Sequence, residues 1–471
     1  TADSIIALIP VFHQLGIKNI TFDSGWYGEG TGVNFYFNTG DYVVNADIIG
    51  TEQDLIDLIS SLHSDGFKVR LWWVPGVAEK DIDLWYDHPD WYTDSVINST
   101  GEGGDYYLDP TNPDVITWNT NLVTRFVNYG ADGFKQDDIY NYINTSSVFQ
   151  KAYENLVNNN LAIAQSIKPD FMINTCNCGL CQNMYHMKGQ NAIITSDPVG
   201  SAQFRHRAKY LHALNLNSAA VLGDHVELTK GDIDNAELNN PAFYNDVDFS
   251  SIVPLGMVLE TKFKKDPGAL YQKWFGLYDQ YKFYKKAWVN IPLELGTLET
   301  YLMSDTGGLY FSFFTALPDS SYSGNVKFSH LTSGTNYNVY DIVNNTILGS
   351  FTPASTEYLF NVNFTHSLVV MVSPYAGVSE QVTSEISNLI IYPNPVSEIL
   401  KMQFNNFNSQ HLDINILNSL GQIISEVADD TFLPGFYKFN ADISQFNSGI
   451  YSVQIISDKR TEVKRFVVIK N

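Results

Sequence analysis

The feature that most constrains this chain is a rhythm repeated from residue 1 to about 290. An amphipathic helical stretch meets a Gly or Pro stop, then a short apolar run ends in polar residues. This is the alternation of helices and parallel strands wound into one sheet. The strands it predicts are 17–23, 68–74, 131–137, 171–176, 192–197, 219–224 and 252–260. Between the first two, TEQDLIDLISSLHSDGF places apolar residues at 55, 56, 58, 59 and 62 behind a Thr51 cap and stops at Gly66, the pattern of a helix with one buried face. Seven strands are one short of eight, so the expectation is a (β/α)8 TIM barrel over 1–292 whose first strand is missing from the sequence. In such barrels chemistry sits at the C-terminal ends of the strands. Those ends here carry Asp23, Asp137, Cys176, Asp197 and Asp224.

From 293 to 375 the period switches to two, in GLYFSFFTAL, NVKFSHL, NYNVYDIV and SLVVMVSP, which predicts an antiparallel β-sandwich. A polar, small-residue stretch at 376–387 reads as a linker. Residues 388–471 return to short alternating strands and are expected to form a third, Ig-like β-domain. The chain has 471 residues, enough for three domains.

Composition narrows the partners. With 28 Lys and Arg against 51 Asp and Glu the net charge is −23, the wrong sign for holding phosphate backbones or anionic lipid, so neither nucleic acid nor membrane insertion is expected. No apolar run approaches the 18 or so residues of a spanning helix. The 28 Tyr, 29 Phe and 8 Trp suit carbohydrate, whose ring faces stack on aromatic side chains. The three cysteines, Cys176, Cys178 and Cys181, fall within six residues. Their C-x-C-x2-C spacing lacks the paired C-x2-C of structural zinc sites, so metal is the lesser reading even with His186 nearby.

Seven segments occur in order between residues 15 and 226: LGIKNITFDSGWYG, LWYDHPDWY, YLDPTNPDV, GADGFKQDD, CNCG, SDP and LGDHV. Together they resemble glycoside hydrolase family 36, the retaining α-galactosidases and their clan relatives, whose DDGWFG, HPDW, LDL-x-x-P, D-Y-x-K-W-D, C-x-x-G, SD and G-x-H-V segments follow the same order. The resemblance implies a retaining double displacement without a cofactor. Asp137, matching the last Asp of D-Y-x-K-W-D, would be the nucleophile. Lys135, on the same strand face, would favour its ionised form and hold sugar hydroxyls. Asp138 could compete for the role, but alternation turns it away. Asp197 would be the general acid/base, with Asp224 in reserve. Asp23 would grip hydroxyls and Trp26 would wall the pocket. Cys176 and Gly179 would supply a substrate loop, and His225 a pocket residue. Of the pair Trp72 and Trp73, one ring should face the mouth and the other the helices; Trp73 is assigned to the substrate side. The resemblance also implies a barrel strand ahead of the helix that begins near Thr1.

Three positions depart from the family pattern. Ser24 stands where it has its second Asp, Val74-Pro75-Gly76 where it tends to be acidic, and Gly103-Gly104-Asp105 where it often carries an Arg. All concern substrate gripping, so the expected activity is that of an exo-α-glycosidase on galactosides or substituted galactosides. A clan transglycosylase and a non-catalytic glycan binder are the alternatives. The last domain resembles the C-terminal sorting domain of type IX secretion cargo through YPNP (392–395), LGQ (420–422), SGIYSVQI (448–455) and KRFVVIK (464–470). That implies the type IX machinery as a partner and a secreted or cell-surface location on a Gram-negative bacterium.

Overall fold

The computed structural model describes residues 1–28, 38–80, 82–98, 104–137, 145–176, 192–194, 201–215, 220–227, 241–262, 267–290, 298–375, 386–406, 410–432, 435–457 and 461–470. These divide into two compact units, Thr1–Tyr375 and Ala376–Asn471. No described helix is long and apolar enough to cross a membrane.

The first unit opens with α1 (Ala2–Leu15), β1 (Asn19–Phe22), α2 (Glu52–Ser64) and β2 (Lys68–Trp73). Thr51 and Asp54 close a reciprocal capping box on α2, as its sequence predicts. Its Leu55, Leu58, Ile59 and Leu62 are buried in one cluster with Val69 and Leu71 of β2. An antiparallel excursion follows that the barrel rhythm does not foretell: β3 (Val77–Glu79), α3 (Asp83–Asp87), β4 (Tyr92–Asn98) and β5 (Asp105–Leu108), in the order β3-β5-β4.

The barrel resumes with α4 (Pro113–Asn128), β6 (Gly133–Gln136), α5 (Ser147–Ile167), β7 (Met172–Thr175) and β8 (Ala192–Ile194). It continues through α6 (Ser201–Asn215), β9 (Ala220–Glu227), α7 (Pro241–Ile252), β10 (Val258–Lys262) and α8 (Ala269–Tyr281). Among the described residues seven parallel strands pair in the order β1-β2-β6-β7-β8-β9-β10. The last strand begins later than its sequence suggests. Val253–Leu255 form a 3-10 turn, and Gly256 at φ 71 ends it, because Pro254 and the left-handed glycine hold the chain out of extended geometry until Val258.

Alternation along the strands sorts their side chains. Val69, Leu71 and Trp73 are sealed against the helices. Arg70 and Trp72, of the other parity, face the barrel axis, where Arg70 Nη2 reaches Glu260 Oε1 of β10 at 3.1 Å. Gly133 makes room for this crossing, since a Cβ there would meet Met172 O at 2.5 Å and Arg70 Cγ at 3.0 Å.

Among the described residues eight strands complete the first unit: β11 (Ala287–Asn290), β12 (Leu298–Asp305), β13 (Gly308–Thr315), β14 (Ser321–Phe328), β15 (Tyr337–Asp341), β16 (Thr346–Phe351), β17 (Tyr358–Thr365) and β18 (Ser367–Pro374). They form a six-stranded sheet, β11-β12-β13-β18-β15-β16, covered by the pair β14-β17. One face of the large sheet buries Phe311, Phe313, Val370 and Val372 against Phe328 and Val326 of that pair. Its other face buries Tyr301, Met303, Tyr310 and Phe314 with Phe249, Tyr271 and Trp274 from the barrel helices. Burial on both faces explains why GLYFSFFT reads as a nearly continuous apolar run.

Among its described residues the second unit is all β: β19 (Ile386–Tyr392), β20 (Ile399–Asn406), β21 (Gln410–Leu417), β22 (Ile423–Phe432), β23 (Gly435–Asp442), β24 (Gly449–Ile456) and β25 (Thr461–Val468). Sheets β19-β20-β23 and β22-β21-β24-β25 enclose a core of Leu400, Met402, Phe404, Leu412, Ile414, Val453, Ile455 and Phe466.

Candidate active site

Strand order and parity bring three of the predicted site residues together. In register, β2 lies between β1 and β6, with Phe22 opposite Leu71 and Trp72 opposite Lys135. The side chains that share the axial face at this level are Asp23, one residue past β1, then Trp72 and Lys135. Lys135 Nζ donates to Asp23 Oδ2 at 2.8 Å. The lysine is 8% exposed and the aspartate 34%, so the carboxylate is the more accessible partner of the pair. Asp23 Oδ1 accepts from the backbone N–H of Ser24 at 2.9 Å.

Asp137 stands one residue past β6, and its own N–H still joins the ladder at Trp73 O, 3.1 Å away. Its Oδ2 accepts the indole N–H of Trp72 at 2.9 Å. That indole is itself fixed. The Trp72 carbonyl accepts from Trp26 Nε1 at 2.9 Å, and the Tyr27 ring stacks on Trp72 with centroids 5.9 Å apart. Burial, with the neighbouring Tyr42 adding to it, holds the Tyr27 phenol well above its ordinary range, so this ring stays neutral. Cys176 ends β7 in the same way, its N–H donating to Gln136 O at 2.8 Å. The thiol is buried beside Leu222 and Val258.

Two aromatic assignments change. Trp73 is 0% exposed and packs edge-on against Phe126 of α4 and Phe134 of β6, on the helix side of the sheet. Trp72 holds the axial position instead. The parity of Val69 and Leu71, plainly apolar and shared with Trp73, is the sequence signal that separates the two rings. Trp26 is likewise not an open wall: it is 2% exposed, packed on Tyr42 and Phe126, and acts as a strut under Trp72. Asp197, Gly179, Asp138, Cys178, Cys181 and His186 lie outside the described residues. For His225 and Asp224 only the strand position on β9 is described, with His225 opposite Glu260 in register.

A carboxylate held by an indole donor, beside a lysine-carboxylate pair, supplies what a glycosidic displacement asks of one face of a sugar. It has an anionic oxygen to attack with and polar groups of both signs for hydroxyls. The family model for Melibiase matches residues 1–227, the stretch that contains Asp23, Trp72, Lys135 and Asp137. Residues 1–227 form a melibiase domain. The melibiase domain is joined, at residues 390–470, by a secretion system C-terminal sorting domain. An A type blood α-D-galactosamine galactosaminidase of Flavonifractor plautii is 26% identical over 408 residues, 79% of this chain and 34% of that protein. A bifunctional α-galactosidase/sucrose kinase of Mediterraneibacter gnavus is 35% identical over 91 residues, 19% of this chain and 9% of that protein. The chain therefore spans about a third or less of the length of these curated relatives. Among solved structures, a GH27 β-L-arabinopyranosidase from Geobacillus stearothermophilus superposes with a TM-score of 0.63 at 11% identity, covering 80% of this chain and 93% of that one. A GH36 α-galactosidase from the same organism gives 0.61 at 14%, covering 80% and 54%. These likenesses show the fold of the melibiase domain and the sandwich that follows it.

Proposed function

We propose that the chain is a secreted retaining exo-α-glycosidase acting on terminal α-galactosides or substituted galactosides. The observation that carries this reading is the carboxylate of Asp137, at the C-terminal end of a barrel strand in a melibiase domain, hydrogen-bonded to Trp72 beside the Asp23–Lys135 pair. Asp137 attacks the anomeric carbon while Asp197 protonates the departing oxygen. A water deprotonated by Asp197 then releases the sugar with its configuration retained. Lys135 and Asp23 orient the ring hydroxyls, one as donor and the other as acceptor.

The sorting domain supports export through the type IX machinery of a Gram-negative bacterium and delivery to the medium or the cell surface. A relative named for galactosamine, an amino-substituted galactose, supports a pocket tolerant of substituents. The test is a turnover screen of nitrophenyl α-galactoside, α-galactosaminide and β-galactoside, followed by NMR of the first-formed anomer. The reading expects α-selective hydrolysis with an α-configured first product. A β-configured first product, or turnover of the β-glycoside alone, would overturn it.

A further inference from the structure

Helix α6 carries two buried cations one turn apart on the same face: Arg205, 1% exposed, and Lys209, 2% exposed. Arg205 is matched on all three of its nitrogens. Nε and Nη2 donate to Oε2 and Oε1 of Glu299 on β12, both at 3.0 Å, and Nη1 donates to Ser251 Oγ of α7 at 3.0 Å. Glu299 Oε2 also accepts from Tyr301 OH at 2.8 Å, so three donors already occupy that carboxylate. Lys209 Nζ, by contrast, is enclosed and has no hydrogen-bond partner in the folded chain.

The charges at this seam between barrel and sandwich do not balance. Burial alone would raise the Glu299 carboxyl, but the Arg205 bonds, with the Lys209 charge adding to them, bring it below its ordinary value. It therefore stays anionic at neutral pH. His366 packs on Phe314, the ring that Arg205 also covers, and burial holds it down to about 4, so it adds no charge there. Asp246 of α7 is matched by Lys273 of α8. Among the described residues the seam holds two cations against one carboxylate, and the surplus sits on the ammonium that no protein group satisfies. An unpaired charge out of water costs several kcal/mol or more. A water would accept one of the three ammonium hydrogens and leave the charge. A monovalent anion answers both needs, whereas a divalent oxyanion would reverse the imbalance.

We propose that Lys209, with the Arg205–Glu299 fork beside it, forms a buried binding site for a small monovalent inorganic anion of the halide class, which neutralises α6 against the sandwich. The experiment uses the full chain. Thermal midpoints are measured at constant ionic strength as chloride replaces gluconate, and separately as sulfate replaces it; crystals grown in bromide are examined for anomalous signal. The expected midpoint rises by about 2 °C or more and levels off with chloride, because the anion binds only the folded chain. Sulfate should have little effect, and bromide should give a peak within hydrogen-bonding reach of Lys209 Nζ. Lys209→Met keeps the bulk of the side chain and removes the charge, so it should fold in gluconate and lose both signals. Equal responses to chloride and sulfate, or a chloride response unchanged in Lys209→Met, overturn the proposal. So does a chloride response with no bromide peak at Lys209, and a peak without a chloride response is binding at crystal concentration only, which overturns it as well. Should Lys209→Met fail to fold, the two wild-type measurements decide: both signals uphold the site, and the lack of either overturns it.

Discussion

Trp72 and Asp137 come from different strands, 65 residues apart, and meet through one hydrogen bond of 2.9 Å between an indole N–H and a carboxylate oxygen. The bond fixes where that carboxylate oxygen points, because an indole donates and never accepts. Trp72→Phe keeps the ring and removes the donor. A bond to a charged acceptor contributes about 1.5–3 kcal/mol, so kcat/KM should fall about 10- to 100-fold. Asp137→Asn should cost several orders of magnitude. Equal losses in the two variants would show that Trp72 has a second role.

Lys135 is nearly buried and its ammonium meets Asp23. Lys135→Met removes the cation and leaves the carboxylate to repel its surroundings. We expect kcat/KM to fall about 100-fold, with most of the loss in KM. Unchanged KM with reduced kcat would instead make Lys135 a partner of the transition state alone.

Acid should weaken the first unit in two stages. Burial pushes His212 and His366 from 6.5 down to about 4, so the folded protein keeps them neutral while the unfolded chain takes up protons. Their contribution is whole above pH 6.5 and is lost as the pH falls toward 4, on the order of 3 kcal/mol each. Asp132 follows. Burial opposes its charge, yet hydrogen bonds from Lys168, Val69, His63 and Lys68 overcome this and bring it from 3.8 to about 2. That contribution disappears only between about pH 3.8 and 2. Denaturant midpoints measured from pH 8 to 2 should show both steps, and His366→Gln should shrink the first.

Ser24 bears on specificity. Its N–H caps Asp23, and a second carboxylate here would repel sulfate and crowd acyl groups or an anhydro bridge at the sugar's 4 or 6 position. The wild type should prefer a substituted galactoside, and Ser24→Asp should reverse the order. A wild type that favours plain galactoside by tenfold, about 1.4 kcal/mol, defeats this expectation.

The second compact unit starts at Ala376 and holds its own core. A chain ending at Tyr375 should keep its catalytic constants and its thermal midpoint. A drop of several degrees would mean that residues 376–471 support the barrel.

Much of this protein is legible in its residue order, because periodicity is a local property. The βα rhythm, the Thr51 cap, the switch to period two and the strand-end placement of Asp23 and Asp137 all follow from near neighbours along the chain. Parity alone put Lys135 and Asp137 on one face. Which tryptophan of Trp72-Trp73 turns to the axis was also legible, in the parity Trp73 shares with Val69 and Leu71, but what Trp72 meets there depended on the register of β2 with β6. The start of β10 depended on a 3-10 turn that a run of apolar residues conceals. The partners of Asp137, Lys135 and Arg205 lie 65, 112 and 94 residues away. No local pattern encodes such pairs: a charged side chain in a sequence shows the need for a partner, and only the closed sheet, by fixing register across strands, decides which one it meets.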